Sequence, residues 1–122
     1  MAVDYSLYLV TDNTPAILGS RDFVTVVKEA VAGGANIMLC FYSSHVLISL
    51  VGVTILQLRD KTSETIDLIR NAKKLHEITK AHNIPLLIND RVDVALAVGC
   101  EGVHIGQDDI GRRHHRSVTA II

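Results

Sequence analysis

The chain has 122 residues, 48% of them apolar, and its 12 basic and 13 acidic side chains leave a net charge near −1. That length points to one domain with enough apolar material for a core, and the even charge gives no electrostatic footing for nucleic acid or a membrane surface. Trp is absent and aromatic residues make up 4%, which argues against a platform for stacking single-stranded bases.

The two cysteines, Cys40 and Cys100, fit no metal-binding spacing and are too few for a disulfide framework, so a reducing compartment, the cytoplasm, is expected. The opening "MAVDYSLYLVTD" has an early acid and no basic region, which does not match a signal peptide.

In chain order, "SLYLV", Ser6 to Val10, predicts a first strand that ends at Thr11 and Asp12, followed by a turn region holding Pro15 and Gly19. Ser20 or Asp22 can cap a helix carried by Phe23, Val26, Val27, Ala30 and Val31, with Gly33 and Gly34 as its stop. "VTILQLRDK", Val53 to Lys61, predicts a second strand to Leu58 that breaks into polar residues. Ser63 is the expected cap of the next helix, in which Leu68, Ala72, Leu75 and Thr79 recur on one face, with Ile69 and Ile78 beside them, to about His82. Asn83 and Pro85 punctuate before a third strand, Leu86 to Ile88, that ends in Asn89 and Asp90. Val92, Ala95, Leu96 and Val98 predict a short helix closed by Gly99, and Gly102 to Ile105 a fourth strand with Gly106 to Asp109 at its end. The remaining "GRRHHRSVTAII" has no clear helical period.

This β-α-β-α-β-α-β order calls for a parallel sheet with crossover helices. Polar residues gather after the strands and not before them, the polarity of a (β/α)8 barrel or a doubly wound sheet. The expected fold class is therefore α/β, with four βα units present, half of a (β/α)8 TIM barrel.

One stretch breaks the pattern. No Asp, Glu, Lys or Arg occurs between Glu29 and Arg59, and the centre of that gap, Ala35 to Gly52, is long and apolar enough to suggest a membrane-crossing helix. Ser43, Ser44 and His45 in its middle, and the lack of close basic flanks, weigh against that reading. Spacing gives another. Val10 to Leu58 spans 48 positions and Leu58 to Ile88 spans 30, and removing the 18 residues 35–52 makes the two intervals equal. The segment reads as an insertion into a regular repeat, of the kind a retained intron would leave; a transcript lacking those codons is the test.

Three strand ends carry the chemistry. Alternation puts Gln57, Arg59 and Lys61 on one side of an extended backbone. A forked guanidinium beside a point-charge ammonium suits a phosphate or diphosphate. Asn89 and Asp90 follow the third strand, and Asp108 and Asp109 the fourth. Carboxylates without nearby Cys or His ligands suit Mg2+, which takes one or two of them with substrate phosphate oxygens and water. Plainer readings stand beside these. Arg59 and Lys61 also fit a solvated strand end, Asp90 with Arg91 a surface pair, and Asp108-Asp109 a turn. His104 reads as a packed, hydrogen-bonded residue, His76 and His82 as surface or boundary residues, His114 and His115 as part of a solvated tail, and the cysteines as small apolar fillers.

The strings "SLYLVTD", "GGVTILQLRDK" read across the insertion, and "LLINDRVDVALAVGCEGVHIGQDD" closely resemble thiamine phosphate synthase (thiamine-phosphate diphosphorylase), particularly its fungal forms. The likeness covers residues 4–34 and 53 to about 110. It implies a (β/α)8 barrel that joins hydroxymethylpyrimidine diphosphate to thiazole phosphate, giving thiamine phosphate and diphosphate. It further implies that Gln57, Arg59, Lys61 and Asn89 hold the pyrimidine diphosphate and that Asp90 and Asp109 ligate Mg2+. The implied reaction is dissociative, so no protein nucleophile is needed. The lysine and the Gly/Ser/Thr loops that the family uses for diphosphate and thiazole phosphate would come after residue 110. The expectation is therefore a partial barrel over 1–110 with a non-family tail over 111–122, inactive alone, with two open sheet edges and an uncovered inner face. The expected partners are these small molecules, with no nucleic acid, no membrane and no stated oligomer. Alternatives are a thiazole tautomerase-like member of the superfamily and a non-catalytic diphosphate-binding or membrane-tethered fragment.

Overall fold

The computed structural model describes residues 3–39, 52–106 and 118–121. Five strands form one sheet in the order β1-β2-β3-β4-β5: β1 Tyr8–Val10, β2 Ile55–Leu58, β3 Leu86–Asn89, β4 Gly102–Ile105 and β5 Val118–Ile121. The first four pair in parallel, each beside its predecessor, as sequential βα units should. β5 pairs antiparallel to β4, with Gly102 opposite Ile121 and Ile105 opposite Val118.

Among the described residues four helices lie between the strands: α1 Pro15–Leu18, α2 Phe23–Leu39, α3 Thr65–Ala81 and α4 Val92–Val98. Of the two expected caps, Asp22 is the one used in α2; its Oδ2 accepts from Thr25 N at 2.9 Å and Thr25 Oγ1 at 2.7 Å. The expected stop at Gly33-Gly34 is not observed, since α2 runs on to Leu39. Two glycines cost a helix about 2 kcal/mol together, and the Ala, Ile, Met and Leu that follow can offset that. Ser63 does not cap α3. The helix starts at Thr65, with Glu64 at the cap, because Asp60 Oδ1 already accepts from Thr62 N and Ser63 N at 3.0 Å and holds that loop in its own turn.

The core lies between helices and sheet. Leu56, Leu58, Leu86, Ile88 and Val103 face α2, α3 and α4, where they meet Val27, Val31, Leu68, Leu75 and Val94. α3 buries Leu68, Ala72, Leu75 and Thr79 as its period predicts, and also His76. His76 is no surface residue: its Nε2 lies 3.1 Å from Glu101 Oε1, whose Oε2 accepts from Leu86 N at 2.8 Å. On α4 the burial falls on Val94 and Ala95, and Leu96 points outward at 62% exposure.

Alternation along the strands puts Tyr8, Ile55, Gln57, Leu87, Asn89 and His104 on the opposite, inner face. That face is not bare, as Ile55 and Leu87 are both fully buried there, apart from the helix-side cluster. Among the described residues the sheet keeps two edge strands, β1 on one side and, on the other, β5, laid antiparallel along β4. Burying apolar surface at about 25 cal/mol per Å2 favours covering a parallel sheet on both faces. Among the described residues no helix is long and apolar enough to cross a membrane. Asp108, Asp109, Cys40, His114 and His115 lie outside the described residues, as does most of the insertion, of which 35–39 continue α2.

Candidate functional site

The polar groups of the first three strands meet at their carboxyl ends. β1 and β2 are tied there by Thr11. Its amide donates to the Gln57 carbonyl at 3.0 Å, and its Oγ1 accepts from the Arg59 amide at 3.0 Å. Thr11 is buried, so this pair fixes where the chain leaves the sheet and turns Arg59 into solvent. Asp60 shapes the next step. Burial raises its carboxyl, but hydrogen bonds from the Ser63 hydroxyl and amide and the Thr62 amide outweigh that and leave it below the usual range. Asp60 is therefore an anion near neutral pH, and the turn it holds presents Lys61. Its other oxygen, Oδ2, is buried with no hydrogen-bond partner among the described residues, although the Asn13 side chain lies near enough to favour the anion.

Lys61 reaches across to the next strand end, with Nζ 3.2 Å from Asp90 Oδ2. Both groups remain open to solvent, the lysine at 57% and the aspartate at 24%, so the pair adds little to stability. Asp90 sits at φ 63°, a left-handed conformation that aspartate tolerates better than most residues. It is held there by its amide donating to the His104 carbonyl at 2.8 Å and by Arg91 N donating to the Asn89 carbonyl at 2.8 Å. A conformation costing on the order of 1 kcal/mol is kept by neighbouring strands, and it gives the carboxylate its direction.

Beneath this rim, Gln57 and Asn89 lie in the sheet. Gln57 Nε2 donates to Asn89 Oδ1 at 2.7 Å, and Gln57 Oε1 accepts from Tyr8 Oη at 2.7 Å. An open cleft runs over the assembly, lined by Asp60, Lys61, Ser63, Asn89, Asp90 and Arg91. A second groove, between β1, α1 and α2, is lined mainly by apolar side chains such as Leu9, Ile17, Leu18, Phe23 and Val26, and lacks the cationic donors a phosphate needs.

The structure thus gathers Gln57, Lys61, Asn89 and Asp90 in one place, with Arg59 at its edge. Asp109 falls outside the described residues. Arg91 is not Asp90's partner: it forks onto Asp93, at 2.9 and 2.7 Å, and reaches Thr65 Oγ1 at 3.1 Å. His104 shares the inner face with Asn89, its register partner, but its Nδ1 is buried without a hydrogen-bond partner among the described residues, contrary to the expected bonded histidine. Sequence reasoning missed Tyr8, Thr11 and Asp60. "DKTS", an acid two and three residues before Thr and Ser, carried an Asx-turn signal for Asp60. Tyr8 could be placed only once the face of β1 was known.

The donor set suits a hard cation shared with a ligand. Asp90 offers carboxylate oxygen into the open cleft, and a lysine ammonium already stands at that carboxylate. No group of three or more His, Cys, Asp or Glu side chains able to cage a metal occurs among the described residues. One or two protein carboxylates with water and ligand oxygens completing the shell is the usual arrangement for Mg2+.

Sequential parallel βα units, with their polar residues collected at the carboxyl ends, define an α/β protein that places its ligand groups at the carboxyl ends of a parallel sheet. Comparison with known proteins narrows this. A family model described as thiamine monophosphate synthase matches residues 7–122, and the chain belongs to that family. It is 44% identical over 108 residues to a thiamine-phosphate synthase of Clostridium acetobutylicum, covering 88% of this chain and 42% of that protein. It is 42% identical over 108 residues to a thiamine biosynthetic bifunctional enzyme of Saccharomyces cerevisiae, covering 88% of this chain and 16% of the yeast protein. Among solved structures, a thiamine phosphate pyrophosphorylase from Pyrococcus furiosus superposes with a TM-score of 0.63 at 30% identity, over 86% of this chain and 41% of that one. The chain spans less than half the length of these relatives.

Proposed function

We propose that the strand-end cleft is a Mg2+-assisted diphosphate site, and that the chain binds hydroxymethylpyrimidine diphosphate for condensation with thiazole phosphate to thiamine phosphate. The observation that carries this is the Lys61–Asp90 pair at 3.2 Å, which sets a cation and a carboxylate from adjacent strand ends over the Gln57–Asn89 amide pair. Arg59 supplies a forked donor and Lys61 a point charge to non-bridging diphosphate oxygens. Asn89, backed by Gln57, orients the pyrimidine end. Asp90, with Asp109, would hold the metal. When bound, Mg2+ would neutralise charge building on the departing diphosphate. Lys61 and Arg59 would do the same from the protein side, in a position fixed before the reaction by Thr11 and Asp60. No side chain need attack, because the thiazole nitrogen is the nucleophile.

We read the four parallel strands as the first four of an eightfold barrel, with 35–52 inserted between the first unit and the second. Their sequential order and the 41–42% coverage of the Clostridium and Pyrococcus relatives support this. On that reading these strand ends bind the diphosphate substrate. Small charged substrates and an unpaired, buried Cys100 suit a reducing cytoplasm.

Calorimetric titration with hydroxymethylpyrimidine diphosphate tests the site. Binding should tighten about tenfold or more, ~1.4 kcal/mol, when Mg2+ is added. Equal binding with and without Mg2+, or none to folded protein, contradicts the proposal.

A further inference from the structure

Tyr8, Gln57 and Asn89 lie on a diagonal of the inner face. Tyr8 is in register with Ile55, two residues before Gln57, and Gln57 is in register with Leu87, two residues before Asn89. Staggered strands bring such residues level with one another, and two hydrogen bonds of 2.7 Å join them in series. Gln57, in the middle, is only 4% exposed, so water does not compete for its amide.

An amide group has two unlike ends: the carbonyl only accepts and the NH2 only donates. In a chain of amides, fixing one orientation fixes the next. With the Tyr8 hydroxyl donating to Gln57 Oε1, Gln57 must turn its NH2 toward Asn89, and Asn89 must turn its carbonyl toward Gln57. The Asn89 NH2 is then left for whatever occupies the cleft. If Gln57 were reversed, Asn89 would reverse too and present a carbonyl. The amide pair alone is satisfied either way round. A phenol is a better donor than acceptor, and that preference breaks the tie.

We propose that Tyr8 is a positioning residue: through Gln57, its hydroxyl sets Asn89 to present a donor to a ligand atom that accepts. Tyr8 itself touches no ligand. The ligand assignment rests on the diphosphate site proposed above, whose substrate is rich in acceptors. The orientation does not depend on it and has its own readout.

The test is NMR of the side-chain NH2 groups in the 15N-labelled chain, comparing the native protein with Tyr8→Phe. The Asn89 NH2 signals should move along with those of Gln57, although Tyr8 is bonded only to Gln57 of the two. The dissociation constant for hydroxymethylpyrimidine diphosphate should rise about 5–10-fold, as expected for losing one neutral hydrogen bond's worth of ordering. Unmoved Asn89 signals in a folded variant overturn the proposal. If Tyr8→Phe does not fold, solvent exchange in the native chain decides. The Gln57 NH2 should be protected without ligand and the Asn89 NH2 only with it, and the reverse order overturns the proposal. Failure of the diphosphate reading looks different: the native Asn89 NH2 would not respond to diphosphate and Mg2+, while the effect of Tyr8→Phe on the ligand-free signals would persist.

Discussion

Arg91 borders the cleft, yet its guanidinium is already occupied by Asp93 and Thr65, which ties the start of α4 to the start of α3. The fork from Arg91 holds the Asp93 carboxyl down at about 2, against an ordinary value near 3.8. A carboxyl lowered by folding stabilises the protein fully above its unfolded pKa and loses that contribution as pH falls through the folded one. The window here runs from about pH 4 down to about pH 2. Asp93→Asn should therefore flatten the fall of Tm across that window and leave diphosphate binding unchanged at neutral pH. A Tm profile identical to that of the native chain, measured by circular dichroism, would contradict the pairing. Lys61 and Asp90 differ in geometry: both pairs are solvent-exposed, but theirs is a single 3.2 Å contact rather than a fork and adds little stability.

At the scale of elements, the short connections decide where functional groups sit. α4 ends at Gly99 with φ 72°, its amide bonded to the Ala95 carbonyl at 2.9 Å, and a Cβ there would meet nothing within 4 Å. The penalty for Gly99→Ala is thus purely backbone, about 1 kcal/mol or roughly 3–5 °C in Tm. Leu96→Ala on the outer face of α4 should stay within about 0.5 kcal/mol. Equal losses in the two variants by denaturant titration would refute the left-handed cap. Gly99 was readable in the sequence, as were β2, β3 and β4, because an apolar run that stops abruptly in polar residues is a local signal. The strand-end positions of Gln57, Arg59, Lys61, Asn89 and Asp90 followed from the same signal. The run of α2 past Gly33-Gly34 was not readable, since a glycine pair is a weak stop when apolar helix formers follow. β5 was not readable either: antiparallel pairing to β4 is a tertiary choice, and "SVTAII" carries no period that announces it. The roles of Tyr8 and His104 depend on which face each strand turns inward, and three or four residues of alternation do not reveal that.

For the whole molecule, the sheet separates two tasks. Its helix side holds the apolar core, while its inner face and carboxyl ends hold Tyr8, Gln57, Asn89, Asp90 and Lys61. The bottom of the sheet is kept by His76, Glu101 and the Leu86 amide, a cluster that closes the start of β3 and lies at the opposite end of the strands from the cleft. We propose that, among the described residues, the carboxyl-end cluster is the Mg2+-diphosphate site. The direct measurement is to add inorganic diphosphate and Mg2+ to the 15N-labelled chain and follow the backbone amides. Shifts are expected at residues 57–63, 89–91 and around Asp109, reduced about tenfold in apparent affinity by Lys61→Ala through loss of a charge-assisted contact. Shifts centred on Lys80, Asn83 and Glu101 at the far end of the sheet, or none at all, would contradict it.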